Sequence, residues 1–166
     1  MSRLDSFIRR LEAQRACIGW AAEAVAGLPG PVLELGLGQG RTYDHLRERL
    51  KEREIFVFER QVTAHRGSIP DATHLILGDF RVTLPSALAR IRAPAALAHC
   101  DIGSGDEAAS RALAAAVAPL LAPLMAAGGI VLGDQPMTHP RFTALPLPEG
   151  VAAGRYHLYR MAGFPP

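Results

Sequence analysis

Residues 32–42 read VLELGLGQGRT, and this stretch constrains the fold more than any other. A short apolar strand, Val32 to Leu35, runs directly into three glycines at every second position, and a helical pattern starts near Thr42. A strand, a glycine turn and a helix in succession bring backbone close to a ligand and point the helix N-terminus at it. Each glycine removes a Cβ atom that would block this approach or forbid the φ angle. The stretch therefore predicts a ligand-binding loop in an α/β sheet.

The spacing of the glycines narrows the class of ligand. A dinucleotide fingerprint is G-x-G-x-x-G, but counting from Gly36 puts Arg41 in the last position, and counting from Gly38 puts Tyr43 there. The chain instead has acid-x-G-x-G-x-G, with Glu34 two residues before the first glycine. This spacing argues against a nucleotide-dependent oxidoreductase, which stays an alternative on a similar sheet.

Apolar runs and helical patterns alternate along the chain. We expect helices over residues 3–27, 42–51, 83–91 and 106–127, the last one stopped by Gly128 and Gly129. We expect strands over residues 32–35, 55–58, 73–77, 97–100 and 130–132, and a closing antiparallel hairpin over 142–147 and 156–161. Such alternation predicts an α/β fold with a mostly parallel seven-stranded sheet, helices on both faces and a preceding N-terminal helix. We expect one domain over residues 1–166, with that helix within 1–29 and the core over 30–162.

The predicted N-terminal helix has an apolar seam with one irregular position. Apolar side chains recur at alternating spacings of four and three residues, at Leu4, Ile8, Leu11, Ile18, Ala22 and Val25. Arg15 falls in this seam, where an apolar side chain is expected. Its guanidinium would either pair with a neighbouring element or bind a ligand carboxylate through two parallel hydrogen bonds. We favour the first interpretation, because buried arginines usually have a local partner.

Composition excludes several classes of function. The formal net charge of +2 is too small to argue for nucleic acid. No apolar run approaches the roughly 20 residues of a membrane span, and the charged N-terminus has no signal-peptide core, so we expect a cytoplasmic protein. All but one of the 18 basic residues are arginine, which is typical of GC-rich bacterial coding. Cys17 and Cys100 lie far apart among apolar neighbours, which predicts buried free thiols.

Acidic residues follow the predicted strands one after another. Glu34, Glu59, Asp79, Asp101 and Asp134 lie in or directly after the five parallel strands. Each alone could be a helix cap or a turn residue, but ligands bind outside the carboxyl ends of the strands of such a sheet. Glu59 comes nineteen residues after Gly40, near the distance at which a nucleotide-binding sheet places its ribose-binding acid.

With these motifs, residues 30–162 resemble the class I S-adenosylmethionine (SAM)-dependent methyltransferases, in a small stand-alone bacterial form with a Rossmann-like sheet. The resemblance implies that the backbone of the glycine loop contacts the methionine and ribose portions of SAM. It implies that Glu34 reaches the methionine ammonium, directly or through water, and that Glu59 holds the ribose hydroxyls. It also implies that Arg60 flanks the adenine, that Asp79 accepts from the adenine amino group and that Phe80 lies near the ring. The implied cofactor-binding residues are Glu34, Gly36, Leu37, Gly38, Gly40, Glu59, Arg60, Asp79, Phe80 and Asp101.

The methyl acceptor is less constrained by the sequence. Asp101 would face the methionine end and open onto the acceptor, so it is the first candidate for taking a proton from an ammonium or hydroxyl; Asp106, Asp134 and His139 are further candidates. After the fourth strand the chain reads Asp101-Ile102-Gly103-Ser104 and lacks the Asn-Pro-Pro-aromatic or Asp-Pro-Pro-aromatic motif of DNA and amide methyltransferases. We expect a small-molecule acceptor, no nucleic-acid or membrane partner, and a homodimer whose neighbour helps to close the site.

Two alternatives stay open. Asp101, Asp134 and Gln135 resemble the metal ligands of catechol-type O-methyltransferases and would suit Mg²⁺, but Gln135 stands where Asn is usual, so we favour a metal-free site. The chain could also bind SAM without catalysing transfer, as a sensor or a partner subunit.

Overall fold

The computed structural model describes residues 2–163, in which helices and strands alternate as the sequence predicts. The helices are α1 (Arg3–Ala24), α2 (Arg41–Arg49), α3 (Phe80–Thr83), α4 (Leu88–Ile91) and α5 (Glu107–Leu121). The strands are β1 (Val32–Leu35), β2 (Ile55–Glu59), β3 (Leu75–Leu77), β4 (Ala95–Cys100), β5 (Met125–Gly133), β6 (Phe142–Ala144) and β7 (His157–Met161). Short 3-10 turns span Arg66–Ser68, Leu84–Ser86 and Ala122–Leu124.

The strands form one sheet in the order β3-β2-β1-β4-β5-β7-β6. Strands β1 to β5 pair in parallel, and β7 runs antiparallel to both β5 and β6. The predicted seven-stranded, mostly parallel sheet with a closing hairpin is confirmed. The chain builds from β1 outward to β3 and then returns to β4 on the other side of β1. Ligands bind at the carboxyl ends of the strands where the order reverses in this way, and here the glycine loop and Asp101 lie side by side.

Alternation along the strands divides the buried side chains between two cores. Leu33 and Phe58 belong to the core that includes residues of α4 and α5. Val32 and Leu97 belong to the opposite core, which includes residues of α1 and α2. Because side chains alternate between the two faces of a strand, residues 34 and 99 face α1 and α2. Helices cover both faces, as predicted.

The predicted boundary between the Ala-rich helix and the fifth strand is wrong. We expected helix as far as residue 127, but α5 ends at Leu121 and β5 begins at Met125. Gly128 and Gly129 lie inside the strand, where β5 carries extra residues between two successive pairings with β4. Gly128 has a left-handed φ of +80°, which a bulge accommodates more easily than a regular strand. The helix predicted over 83–91 is likewise replaced by α3, the Leu84–Ser86 turn and α4.

The buried face of α1 also differs from the predicted seam. Leu4 and Ile8 are 65% and 44% exposed, and Arg15 is exposed as well. The buried residues begin at Ala13, and Ile18, Ala22 and Val25 are buried as the seam predicts. The polar side chain that packs against the sheet is Gln14, one position before Arg15. Placing Arg15 in the seam was wrong, because the buried side of this turn passes through Ala13 and Gln14 and leaves Arg15 in solvent.

By length and composition, one segment of the described chain, Glu107–Leu124, is long and apolar enough to cross a membrane. In the structure, its apolar side packs against the sheet through Ala114, Val117 and Leu121, which are fully buried. Packing in the core therefore accounts for the apolar residues on that side of the segment.

Candidate functional site

The three glycines of the loop after β1 serve two different purposes. Gly36 has φ +91°, and an added Cβ atom would lie 2.2 Å from the carbonyl oxygen of Asp101. Gly40 has φ +81°, and its Cβ atom would lie 2.4 Å from that of Ser68. Gly38 has φ +49°, but its Cβ atom would meet nothing within 4 Å. The protein itself needs Gly36 and Gly40 for close packing, whereas the backbone at Gly38 is open to a ligand.

The start of α2 completes this open side of the loop. Gly40 occupies the N-cap position and provides no side chain to accept from the first-turn N–H groups. Amides at a helix start that lack a cap, together with the positive end of the helix dipole, favour an anionic ligand. The loop can therefore bind a carboxylate at this point.

Glu59 connects the end of β2 to the glycine loop. Its Oε2 accepts hydrogen bonds from the backbone N–H groups of Leu37, at 2.8 Å, and Gly38, at 3.2 Å. Its Oε1 accepts from the backbone N–H groups of Arg60, at 2.7 Å, and Gln61, at 3.2 Å. Because both oxygens already face N–H donors, ribose hydroxyls would have to share or displace these bonds. The ribose role stays a prediction, and the structure adds that Glu59 shapes the loop.

The residues expected at the adenine end surround the start of α3. Asp79 is the N-cap of α3 and accepts from the backbone N–H of Arg81 at 2.8 Å. Phe80 is half-buried against the core, and the side chain of Arg60 is exposed. A cap is a common role for an acid after a strand, and the adenine contacts of these residues stay predictions.

Asp101, directly after β4, is held by two side chains from α1. Its Oδ1 accepts from Nη2 of Arg10 at 2.6 Å, and its Oδ2 accepts from Nε2 of Gln14 at 3.1 Å. The Asp101 side chain is 24% exposed. Side-chain partners can rearrange more easily than backbone amides, so Asp101 is held in place but remains available to a ligand.

A small cavity of about 70 Å³ joins these parts of the site. Its walls come from α1, the glycine loop, the start of α2 and Asp101, and they include Arg10, Gln14, Gly38 and Arg41. Two guanidinium groups and one carboxylate therefore face the same space. A larger cavity of about 520 Å³ lies beside Ile55 at the amino-terminal end of β2, away from these residues.

Glu34 lies in a buried group of polar side chains, and its proposed contact with the methionine ammonium stays a prediction. It is fully buried, and its carboxylate accepts from the hydroxyl of Thr42 and contacts Nδ1 of His99 at 2.6 Å. Nε2 of His99 in turn contacts the hydroxyl of Tyr156. Direct contact of Glu34 with the methionine ammonium would require Thr42 or His99 to move. The sequence pattern located the acid correctly at the loop but could not show that its oxygens are already engaged.

Burial and neighbouring charges together determine the protonation of His99 and Tyr156. Burial lowers the pKa of His99, but the carboxylate of Glu34 outweighs burial, so the pKa of His99 is raised above its usual value. Burial, reinforced by the negative charge of Asp101, raises the pKa of Tyr156 well above its usual value. Tyr156 therefore keeps its hydroxyl proton at neutral pH and can donate it in a hydrogen bond.

The residues considered for a metal site are engaged with protein donors. Asp134 accepts from the backbone N–H groups of Ile102, at 3.1 Å, and Gly103, at 3.0 Å. Gln135 directs its amide nitrogen, not its oxygen, at Asp134, at 3.2 Å, and an arginine already neutralises Asp101. Among residues 2–163, no three His, Cys, Asp or Glu side chains are grouped as metal ligands would be. This arrangement does not fit Mg²⁺.

Comparison with known proteins agrees with the geometry. A family model described as S-adenosyl-L-methionine methyltransferase matches residues 1–161. The chain belongs to the S-adenosyl-L-methionine methyltransferase family. The methyltransferase is similar to an S-adenosyl-L-methionine methyltransferase of Silicibacter pomeroyi DSS-3, with 46% sequence identity, a TM-score of 0.92, and coverage of 98% of this chain and 99% of the other. No protein of curated function matches.

More distant structures share the fold of the methyltransferase. An rRNA methylase of Streptococcus thermophilus has a TM-score of 0.56 and 13% identity over 87% of this chain and 95% of its own. The plantazolicin methyltransferase BpumL in complex with S-adenosylhomocysteine (SAH) has a TM-score of 0.55 and 12% identity, over 79% of this chain and 49% of its own. The cofactor of the methyltransferase is SAM, and an open glycine backbone beside charged groups fits it.

Sequence reasoning missed four residues of this region of the methyltransferase: Arg10, Gln14, His99 and Tyr156. His99 carried a usable signal, because it is polar, lies inside a strand and alternates with apolar residues as Glu34 does in the first strand. Gln14 lies beside Arg15, outside the apolar seam that the spacing predicts. Arg10 and Tyr156 carried no local signal, because their roles depend on how α1 and the start of β7 pack against the sheet.

Proposed function

We propose that the methyltransferase transfers the methyl group of SAM to a small-molecule acceptor, with SAM lying along the glycine loop. The observation that carries this proposal is the open backbone at Gly38, with Glu59 on one side of the loop and Asp101 on the other. In this arrangement the ribose lies toward Glu59, the adenine toward Asp79 and Phe80, and the methionine head toward Asp101. When bound, SAM supplies a sulfonium methyl group that is already activated for transfer.

The charges beside Gly38 support this orientation. The methionine head of SAM carries an ammonium and a carboxylate. Asp101 and Arg10 provide the opposite charges, and Oδ1 of Asp101 lies 2.6 Å from Nη2 of Arg10. A guanidinium has five N–H donors, so Arg10 can bind a carboxylate while it stays in contact with Asp101. The uncapped start of α2 gives the carboxylate further donors. We therefore add Arg10 to the proposed cofactor-binding residues.

Asp101 is also the proposed proton acceptor, because its present partners are side chains that can exchange for a ligand. Asp134 and Asp106 accept from backbone N–H groups instead, and His139 accepts from the backbone N–H of Arg141. These bonds hold the loop after β4, the start of α5 and the turn before β6. A carboxylate at position 101 can accept a proton from a hydroxyl or ammonium that lies in line with the transferred methyl group.

A small acceptor suits a site built by a single chain of this size with a net charge of only +2. The test is incubation with SAM carrying a deuterated methyl group and a panel of small hydroxyl, amine and thiol compounds, followed by mass spectrometry. Transfer of the labelled methyl group to a member of the panel supports the proposal. SAH binding with transfer only to protein or RNA added to the same assay would contradict it, and SAH binding with no transfer at all would favour the non-catalytic alternative.

We also keep the homodimer as a proposal, now with a definite surface. The first turns of α1 expose three large apolar side chains, Leu4, Phe7 and Ile8, which are 65%, 44% and 44% exposed. Contact between two such surfaces would bring a second copy close to Arg10, on the same helix. Light scattering should give the mass of two chains, and Phe7→Ser should reduce it to one; a monomeric mass for the unmodified chain would contradict the proposal.

A further inference from the structure

A continuous group of buried polar side chains crosses the sheet beneath α1. Glu34 and His99 are directly paired residues of β1 and β4, and both are fully buried, while Tyr156 is 1% and Gln14 5% exposed. We call these four residues the relay. One end of the relay contacts Thr42 at the start of α2, and the other contacts Asp101.

We propose that the relay is a positioning device that fixes the amide orientation of Gln14 and thereby holds Asp101 ready for the methionine head of SAM. The inference rests on the proposed function, because it concerns the same end of the same site. Of the four relay residues, Gln14 lines the cavity beside Gly38, whereas Glu34, His99 and Tyr156 lie behind it. Their effect on the ligand therefore passes through Asp101.

When His99 is neutral, the hydrogen-bonding capacities of the four side chains give one consistent set of bond directions. Nε2 of Gln14 can only donate, so the hydroxyl oxygen of Tyr156, 3.4 Å away, accepts from it. The hydroxyl proton of Tyr156 is then free to go to Nε2 of His99. His99 must therefore carry its proton on Nδ1, where the carboxylate of Glu34 accepts it. The buried acid at one end thus sets the tautomer of His99.

The same logic fixes Gln14 at the other end of the relay. With its amide turned the other way, Oε1 would face the Asp101 carboxylate and repel it, and Nε2 would no longer reach Oδ2. Turning the amide would also require the Tyr156 hydroxyl to donate to Gln14, which would leave Nε2 of a neutral His99 without a donor. An unsatisfied buried acceptor is costly. The relay therefore stabilises the one amide orientation in which Gln14 donates to Asp101. Protonation of His99 removes this acceptor, so the relay fixes Gln14 only at a pH above the folded pKa of His99, and the binding test is done there.

A purely structural role for the relay makes a different prediction. If the relay only stabilised the core, removing one hydroxyl would affect all ligands of the loop alike, or none of them. If it positions Asp101, the loss should be confined to ligands that carry the amino-acid head. SAH has this head, and 5′-methylthioadenosine, the corresponding thioether nucleoside, does not.

The test compares Tyr156→Phe with Tyr159→Phe. Both remove one hydroxyl from the β7 segment, but the Tyr159 hydroxyl accepts from the backbone N–H of Met137, outside the relay. Calorimetric titration of each variant with SAH and with 5′-methylthioadenosine should show SAH affinity reduced about threefold to tenfold in Tyr156→Phe alone, since one hydrogen bond contributes about 1 kcal/mol. Affinity for 5′-methylthioadenosine should stay unchanged in both variants.

A second variant, Gln14→Met, keeps the inference testable if Tyr156→Phe does not fold. Combining the two changes also measures whether their effects on SAH binding are coupled. Gln14→Met keeps the length and burial of the side chain but removes both of its hydrogen bonds, so it should weaken SAH binding at least as much as Tyr156→Phe. The double variant should bind SAH as well as Gln14→Met does, because both changes remove the hydrogen bond between Gln14 and Tyr156. The inference would be overturned if the losses of SAH affinity in the two single variants added up in the double variant. It would also be overturned if a variant lost equal affinity for SAH and for 5′-methylthioadenosine. If the unmodified chain binds 5′-methylthioadenosine but not SAH, the inference also fails; if it binds neither, the proposed function fails and the inference with it.

Discussion

Replacing Gly38 with alanine should weaken SAH binding more than it lowers the stability of the protein. An added Cβ atom at Gly38 meets nothing within 4 Å, although φ is +49°. The protein alone should therefore lose only the cost of a left-handed conformation, about 1–2 kcal/mol of unfolding free energy. SAM or SAH lying against this backbone would meet the new methyl group, and overpacking of this kind costs about 1–3 kcal/mol. SAH affinity should fall roughly fivefold to 150-fold.

Gly128→Ala is the matched control. Gly128 also has a left-handed φ, +80°, and open space for a Cβ atom. It lies in the bulge near the amino-terminal end of β5, whereas the glycine loop follows the carboxyl end of β1. Urea unfolding should show similar losses of stability for the two variants, whereas calorimetry should show weakened SAH binding only for Gly38→Ala. Wild-type SAH affinity in a folded Gly38→Ala variant would refute the placement of the ligand against this loop.

The remaining predictions concern the two charged pairs. Arg10→Ala should weaken SAH binding about fivefold to tenfold without changing the affinity for 5′-methylthioadenosine, because one partly exposed, charge-assisted contact is lost. The same calorimetric affinity for SAH in Arg10→Ala and in the unmodified chain would contradict this. His99→Ala should lower the unfolding free energy in urea by about 3–5 kcal/mol, because it leaves the Glu34 carboxylate buried without its ion-pair partner; a loss under about 1 kcal/mol would mean that water replaces the histidine. Since the pKa of His99 is raised in the folded chain, its stabilising contribution should be complete below the unfolded pKa of about 6.5 and be lost as pH rises through the folded pKa. Urea stability should therefore fall as pH increases above that value, and Glu34→Gln should flatten this dependence; an unchanged slope in Glu34→Gln would contradict the assignment.

The parts of the fold that the sequence predicted are those set by local chemistry. The glycine loop, the five parallel strands and the closing hairpin follow from apolar runs, turn residues and the positive φ that glycine allows. Asp101 could be placed beside the loop because the carboxyl ends of parallel strands meet at one edge. Its partners on α1 could not be predicted, because they depend on the rotation of a helix whose first turns lie outside the core.

The errors share a physical cause in tertiary packing. Gly128 and Gly129 could end a helix or form a bulge, and only pairing with β4 decides between the two. Arg15 fitted an apolar seam by spacing, but the sheet contacts the helix one position away, at Gln14. The burial of Glu34 was likewise not foreseen, because it depends on His99 of the neighbouring strand. In each case the local pattern was compatible with two structures, and contacts distant in sequence select one.

Calorimetric titration of the complete chain with SAH, and separately with NAD(H), tests the central claim most directly. If the loop between Glu59 and Asp101 holds SAM, SAH should bind with one molecule per chain, and Glu59→Ala should abolish that binding because the loop loses its anchor at Leu37 and Gly38. NAD(H) should give no binding heat. Binding of NAD(H) without binding of SAH would contradict the account.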